Sequence, residues 1–143
     1  MAGPATDQQV EMWAGDTLTI RIPIKDTDGG YVDLGGATAK WWMGKNAKAT
    51  GTDVYLKKSS ASTMLCDDGV TRNQVEIDRE TDFWVLLVHL KGDDTETGFG
   101  TNPKPATYYH EAEVIDADGN IATVTTGQFI IEPTLVRNPD NGG

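Results

Sequence analysis

Two Asp-x-Asp-Gly stretches, Asp26-Thr27-Asp28-Gly29 and Asp116-Ala117-Asp118-Gly119, are the first places to look for chemistry in this sequence. Carboxylates at that spacing can offer oxygens to a calcium ion. An EF-hand loop, however, needs oxygen ligands at several fixed positions and a Glu at the twelfth, and neither stretch supplies the set. Hairpin turns need the same residues for backbone reasons: Asp and Asn cap turns and tolerate left-handed geometry, and Gly supplies φ > 0. Both stretches therefore read as turns, and no metal or cofactor is expected.

The other reactive side chains are sparse. His89 and His110 are the only histidines and Cys66 is the only cysteine, which rules out a disulfide within the chain and a Cys-based zinc site. His110 falls on a predicted inward face beside Tyr108, where a hydrogen-bonded core imidazole is expected. Ser59, Ser60 and Ser62 have no His-Asp relay, and no glycine-rich phosphate loop follows a strand and opens a helix. Carboxylates are plentiful but scattered over turns, so a glycosidase pair is not indicated. No catalytic residue is assigned and the chain reads as a non-enzyme. What remains is aromatic: Trp42 and Tyr109 face away from the predicted core, Trp13 lies beside the N-terminal arm, and Phe99 sits in a long loop. Exposed aromatics mark protein interfaces or sugar-stacking platforms, and these four form the candidate interface.

The elements that must carry them are strands. Leu18, Ile20, Ile22 and Ile24 alternate with Thr17, Thr19, Arg21 and Pro23, and Ala39, Trp41 and Met43 alternate with Thr38, Lys40 and Trp42. Pro23 cannot donate to a ladder, so the first of these strands should have a free edge near its end. Tyr31–Leu34 reads as a short return strand, Ser59–Asp68 as a polar loop, and 73–78 as a strand with Val75 and Ile77 inward. Phe83–Leu90 fits either a buried strand or a helical turn or two followed by a strand. Tyr108–Val124 is the clearest hairpin, with Tyr108, His110, Ala112 and Val114 inward and Gly127 as a bulge beyond it. About seven to nine short strands with regular turn signals predict an all-β, immunoglobulin-like antiparallel β-sandwich over residues 10–133. A flexible arm (1–9), a loop insertion (91–106) and a polar tail (134–143) flank or interrupt it.

The net charge of −10 argues against nucleic acid and anionic membranes as partners. The polar Met1–Gln9 segment has no apolar core, so no signal peptide is expected, and no run reaches the length of a membrane span.

Several of these motifs carry a resemblance. They are Gly15-Asp16-Thr17, Asp26-Thr27-Asp28-Gly29 and Val32-Asp33-Leu34-Gly35-Gly36-Ala37-Thr38 in the first part. In the last part they are Tyr108-Tyr109-His110-Glu111, Val114, Asp116-Ala117-Asp118-Gly119, Gly127, Phe129-Ile130-Ile131 and Pro133. Together they resemble the immunoglobulin-like domain at the start of tailed-phage baseplate upper proteins and of small stand-alone phage structural proteins, over residues 10–135. The resemblance implies a non-enzymatic virion component, made in the host cytoplasm, that contacts other virion proteins and self-associates in a symmetric assembly. It leaves the tail or baseplate and the capsid exterior, as a decoration protein, both open. A carbohydrate-binding adhesin using Trp42, Tyr109 and nearby carboxylates on host-surface glycans is the alternative from another class. The loop at 91–106 is longer than the family's tight connection, which marks it, with the arm and the tail, as an expected docking element.

Overall fold

The alternating runs form strands because β-branched and aromatic side chains fit a pleated, half-buried surface, and each run ends where Gly, Asp or Asn lets the chain turn. The computed structural model describes residues 8–24, 34–80, 84–96 and 106–132. Among the described residues there are ten strands: β1 (Val10–Trp13), β2 (Leu18–Ile24), β3 (Thr38–Gly44), β4 (Val54–Ser59), β5 (Thr63–Leu65), β6 (Thr71–Asn73), β7 (Val75–Arg79), β8 (Trp84–Leu90), β9 (Ala106–Ile115) and β10 (Ile121–Glu132). One short helix, α1 (Gly92–Glu96), follows β8. The expected turn at 26–30, most of the Tyr31–Leu34 strand, most of the arm, and the tail lie outside the described residues.

Five strands form one sheet in the order β1-β10-β9-β3-β4, three form a second in the order β2-β8-β7, and β5 pairs with β6. Every pairing is antiparallel except that of β1 with β10, which is parallel. This is the strand order of an immunoglobulin-like sandwich of the variable type: B-E-D in one sheet, G-F-C-C′ in the other, with the first strand added beside G. The expected all-β sandwich is what the chain forms. The strand count exceeds expectation partly because Ser59–Asp68 is not all loop: Thr63–Leu65 pairs with Thr71–Asn73. Phe83–Leu90 resolves as a strand over Trp84–Leu90, and β2, carrying Pro23, is indeed at an edge.

The core takes Ile20, Ile22 and Ile24 from β2, Val75 from β7, and Leu86, Val88 and Leu90 from β8. Against them stand Ala39, Trp41 and Met43 from β3, Ala112 and Val114 from β9, and Phe129 and Ile131 from β10. Trp41 is fully buried on the strand where such sandwiches place a core tryptophan, and truncating a side chain of that size costs about 3–5 kcal/mol. With no disulfide to pack on, its ring meets Phe129 at 5.8 Å and His110 at 6.0 Å between centroids. His110 is the core imidazole expected from its position. Its Nδ1 accepts from Trp41 Nε1–H at 3.0 Å and its Nε2–H donates to the Gln8 carbonyl at 2.7 Å.

Gly127 is not the bulge. The register shift in β10 lies between Thr123 and Thr125, and Gly127 pairs regularly with His110. Its glycine has another cause: a Cβ there would stand 2.5 Å from the Gln8 carbonyl oxygen. The missing side chain lets the segment entering β1 cross over β10, where Gln8 N–H donates to Thr126 O at 3.0 Å. The long loop starts as α1, held on three sides. Asp94 takes Lys58 Nζ at 2.8 Å, the Thr95 hydroxyl accepts from Gly15 N–H at 2.9 Å, and Gly92 N–H donates to Asp67 at 2.8 Å.

Candidate interaction face

Strand register decides which side chains share the outward face of the five-stranded sheet. One rung runs Lys57, Trp42, Glu111, Thr126 across β4, β3, β9 and β10; the next runs Ser59, Lys40, Glu113, Thr123. Tyr109 stands beyond Glu111 on β9, opposite Gly44 and Gln128. Trp42 is 41% exposed and is the central feature, because depressions open on several sides of it. The largest, about 370 Å³, is lined by Lys40, Trp42, Ala49, Glu111 and Glu113. Another joins Trp42 to Tyr109 along Gly44, Asn46, Ala47 and Ala49, and a third lies toward Lys57 and Ser59.

The electrostatics of this face are split by strand. Lys40 and Lys57 put positive charge on β3 and β4; Glu111 and Glu113 put negative charge on β9. Lys57 Nζ lies 4.5 Å from the Trp42 ring centroid, a cation–π contact over one face of the indole. Burial first, and then the neighbouring carboxylate, push the Tyr109 phenol above its ordinary value, so it stays protonated and a donor at neutral pH.

The four expected interface residues do not all meet. Trp42 and Tyr109 share one depression. Trp13 is the more exposed at 55%, but it stands opposite Glu132 on β1, at the far edge of the same sheet. Phe99 lies outside the described residues. Lys40, Lys57, Glu111 and Glu113 were not singled out from the sequence. Period-2 alternation with Trp42 and Tyr109 places Lys40, Glu111 and Glu113 outward, but Lys57 joins the face only through the pairing of β4 with β3, and only the pairing of β3 with β9 brings the opposite charges together.

A second cluster has the residue types of a catalytic site and a different arrangement. Thr17, Thr19, Cys66, Asp67, Asp68, Arg72 and His89 line a cleft beside the three-stranded sheet. His89 is engaged at both nitrogens, Nδ1 with the Thr19 hydroxyl at 3.1 Å and Nε2 with Glu76 at 2.5 Å. Asp67 accepts from the Thr17 hydroxyl and from Gly92 N–H, and these bonds hold its carboxyl below the usual range. Asp68 binds Arg72 through two bonds of 3.0 and 2.8 Å, which lower its pKa to about 2. These bonds tie the turn at 66–69 to the start of β2, to β6 and to α1. In the Asp116 turn, both Asp118 N–H and Asn120 N–H donate to Asp116 Oδ1 at 2.9 Å, so that carboxylate caps backbone as expected. Among the described residues no group of three or more His, Cys, Asp or Glu is placed to hold a metal, and no helix is long and apolar enough to cross a membrane.

No family model matches this chain, and neither does any curated protein.

Proposed function

We propose that this protein is a non-enzymatic interaction module of a phage particle, joining other virion proteins through the outward face of its five-stranded sheet. The observation that carries the interaction part is Trp42, a large aromatic held half-exposed among grooves on the outward sheet face. Aromatic side chains in such positions supply most of the energy of protein interfaces, with charged residues around them setting register. The virion part rests on the motif resemblance. Gln8 leads into β1 of this same sheet over Gly127, with its carbonyl taking the bond from the buried His110.

A sugar-stacking reading is weaker on the same geometry. Lys57 already covers one face of the Trp42 indole, and a pyranose stacking there would have to displace the cation. A protein partner can use the exposed ring edge and leave that contact in place.

The test is mass spectrometry of purified particles from the phage that encodes the chain. The protein is expected as a stoichiometric component, and Trp42→Ala should lower its copy number at least several-fold while circular dichroism stays unchanged. Absence of the wild-type chain from particles, or full incorporation of Trp42→Ala, refutes the reading.

A further inference from the structure

The outward face of the five-stranded sheet is polarised in a way that makes it complementary to itself. Lys40 on β3 is the direct cross-strand neighbour of Glu113 on β9, and Trp42 is the neighbour of Glu111. Opposite charges so placed could close on each other within one chain. They do not: among the described residues neither Lys40 nor Glu113 forms an ion pair, and both line the groove beside Trp42. One side of the groove is thus basic, the other acidic, and an aromatic stands between.

We infer that this face pairs with the same face of a second copy of this chain, about a twofold axis running parallel to the strands between β3 and β9. The inference rests on the interaction-module reading above and names its partner. The symmetry follows from the charges. A face-to-face dimer needs a twofold axis lying in the plane of the interface, and only two orientations keep the strands aligned. An axis across the strands sets the basic β3 on β3 and the acidic β9 on β9, like charge against like. An axis along the strands sets β3 on the partner's β9 at the same level. Lys40 then meets the second copy's Glu113, Trp42 lies over the second copy's Glu111 at the mouth of its groove, and Lys57 flanks that same carboxylate. Every contact is made twice.

The size of the face sets the strength. The four strands that overlap about such an axis, β10, β9, β3 and β4, about 4.8 Å apart and about seven residues long, make a patch roughly 19 by 24 Å, which is small for a stable interface. Association is therefore weak in free solution and depends on concentration. It also weakens with salt, since its charges lie at a solvent-accessible surface. In a particle holding many copies, effective concentration makes up the difference.

Sedimentation velocity on the purified full chain tests this, with one variant carrying Lys40→Glu and Lys57→Glu and another carrying Glu111→Lys and Glu113→Lys. The wild type should move toward dimer with concentration, and less so at high salt. Each variant alone faces like charge with like and should associate about 10-fold or more weakly. An equimolar mixture of the two restores every opposite-charge contact and should recover the dimer as a heterodimer. A wild type that stays monomeric at every concentration overturns the inference, as do variants that dimerise like wild type or a mixture that shows no recovery. Loss of incorporation by Trp42→Ala alongside a monomeric wild type would sink the self-pairing and leave the interaction-module reading standing. Full incorporation of that variant alongside a dimer would do the reverse.

Discussion

Acidification offers a direct probe of the core, because one titratable group sits where a proton cannot be added without breaking a bond. His110 is fully buried, with Nε2–H donating to the Gln8 carbonyl and Nδ1 accepting from the Trp41 indole. The only free valence for a second proton is Nδ1, and a proton there would point at the Trp41 N–H 3.0 Å away. Burial accordingly lowers the His110 pKa from its ordinary value of 6.5, against the smaller raising effect of the Gln8 carbonyl. In the unfolded chain the same imidazole takes its proton near pH 6.5. Between that value and the depressed folded one, the unfolded state holds more protons. Stability therefore falls as pH drops below about 6.5, by at most about 1.4 kcal/mol per pH unit from this one group, and is unaffected by it well above 6.5.

The comparison protein is His110→Gln, which can keep an acceptor toward Trp41 and a donor toward Gln8 but does not titrate. It should be less stable at pH 7.5 by about 1–3 kcal/mol, from lost ring packing on Trp41 and Phe129 and from looser hydrogen bonds. Urea midpoints for both proteins from pH 7.5 to 5 carry the test. All carboxylates and the other histidine are common to the two, so the difference between the curves isolates His110. The curves should converge as pH falls, and the Trp41 indole N–H resonance should hold its position while they do. Parallel curves, or a gap that widens on acidification, would refute the argument.

Thr125 carries a buried hydroxyl with no hydrogen-bond partner among the described residues, so Thr125→Val should stabilise the fold by about 1 kcal/mol, raising the melting temperature by about 3 °C in calorimetry. Gly127→Ala should destabilise by about 1–3 kcal/mol by driving a methyl into the Gln8 backbone, and hydrogen exchange should speed first at the β1 amides. Asp94→Ala strands the buried Lys58 ammonium and should cost about 3 kcal/mol or more in denaturant titration. Lys58→Met should cost less than that, because Asp94 still accepts from Lys91 N–H and lies nearer solvent.

What could be read from the sequence was whatever one strand or one turn decides by itself. Trp41 inward and Trp42 outward follow from alternation, His110 as a core imidazole follows from its place beside Ala112, and the Asp116 turn follows from backbone chemistry. What could not be read depends on segments far apart in the chain. Gly127 looks like a bulge in its local run, and its actual cause is Gln8, the residue that also receives the His110 hydrogen bond across 102 positions. Likewise Lys40 and Glu113 are unremarkable surface charges until β3 is laid beside β9. β5 and β6 had no signal because three-residue strands are too short for a period to show.

The division of labour between core and face is built into single rungs of the sheet. Trp41 pairs with Lys58 and Trp42 with Lys57. The first rung points inward, to His110 and to the Asp94 latch on α1; the second points outward, to the grooves and the cation–π contact. Because successive side chains alternate strictly, a slip of one residue would put Lys57 in the core and Trp41 on the surface. The buried partners of Trp41 and Lys58 therefore fix the register that presents Trp42 and Lys57. It follows that substitutions on the outward rung can alter association without loosening the core. Substitutions at His110 or Asp94 should disturb both, since they release the register on which the face depends.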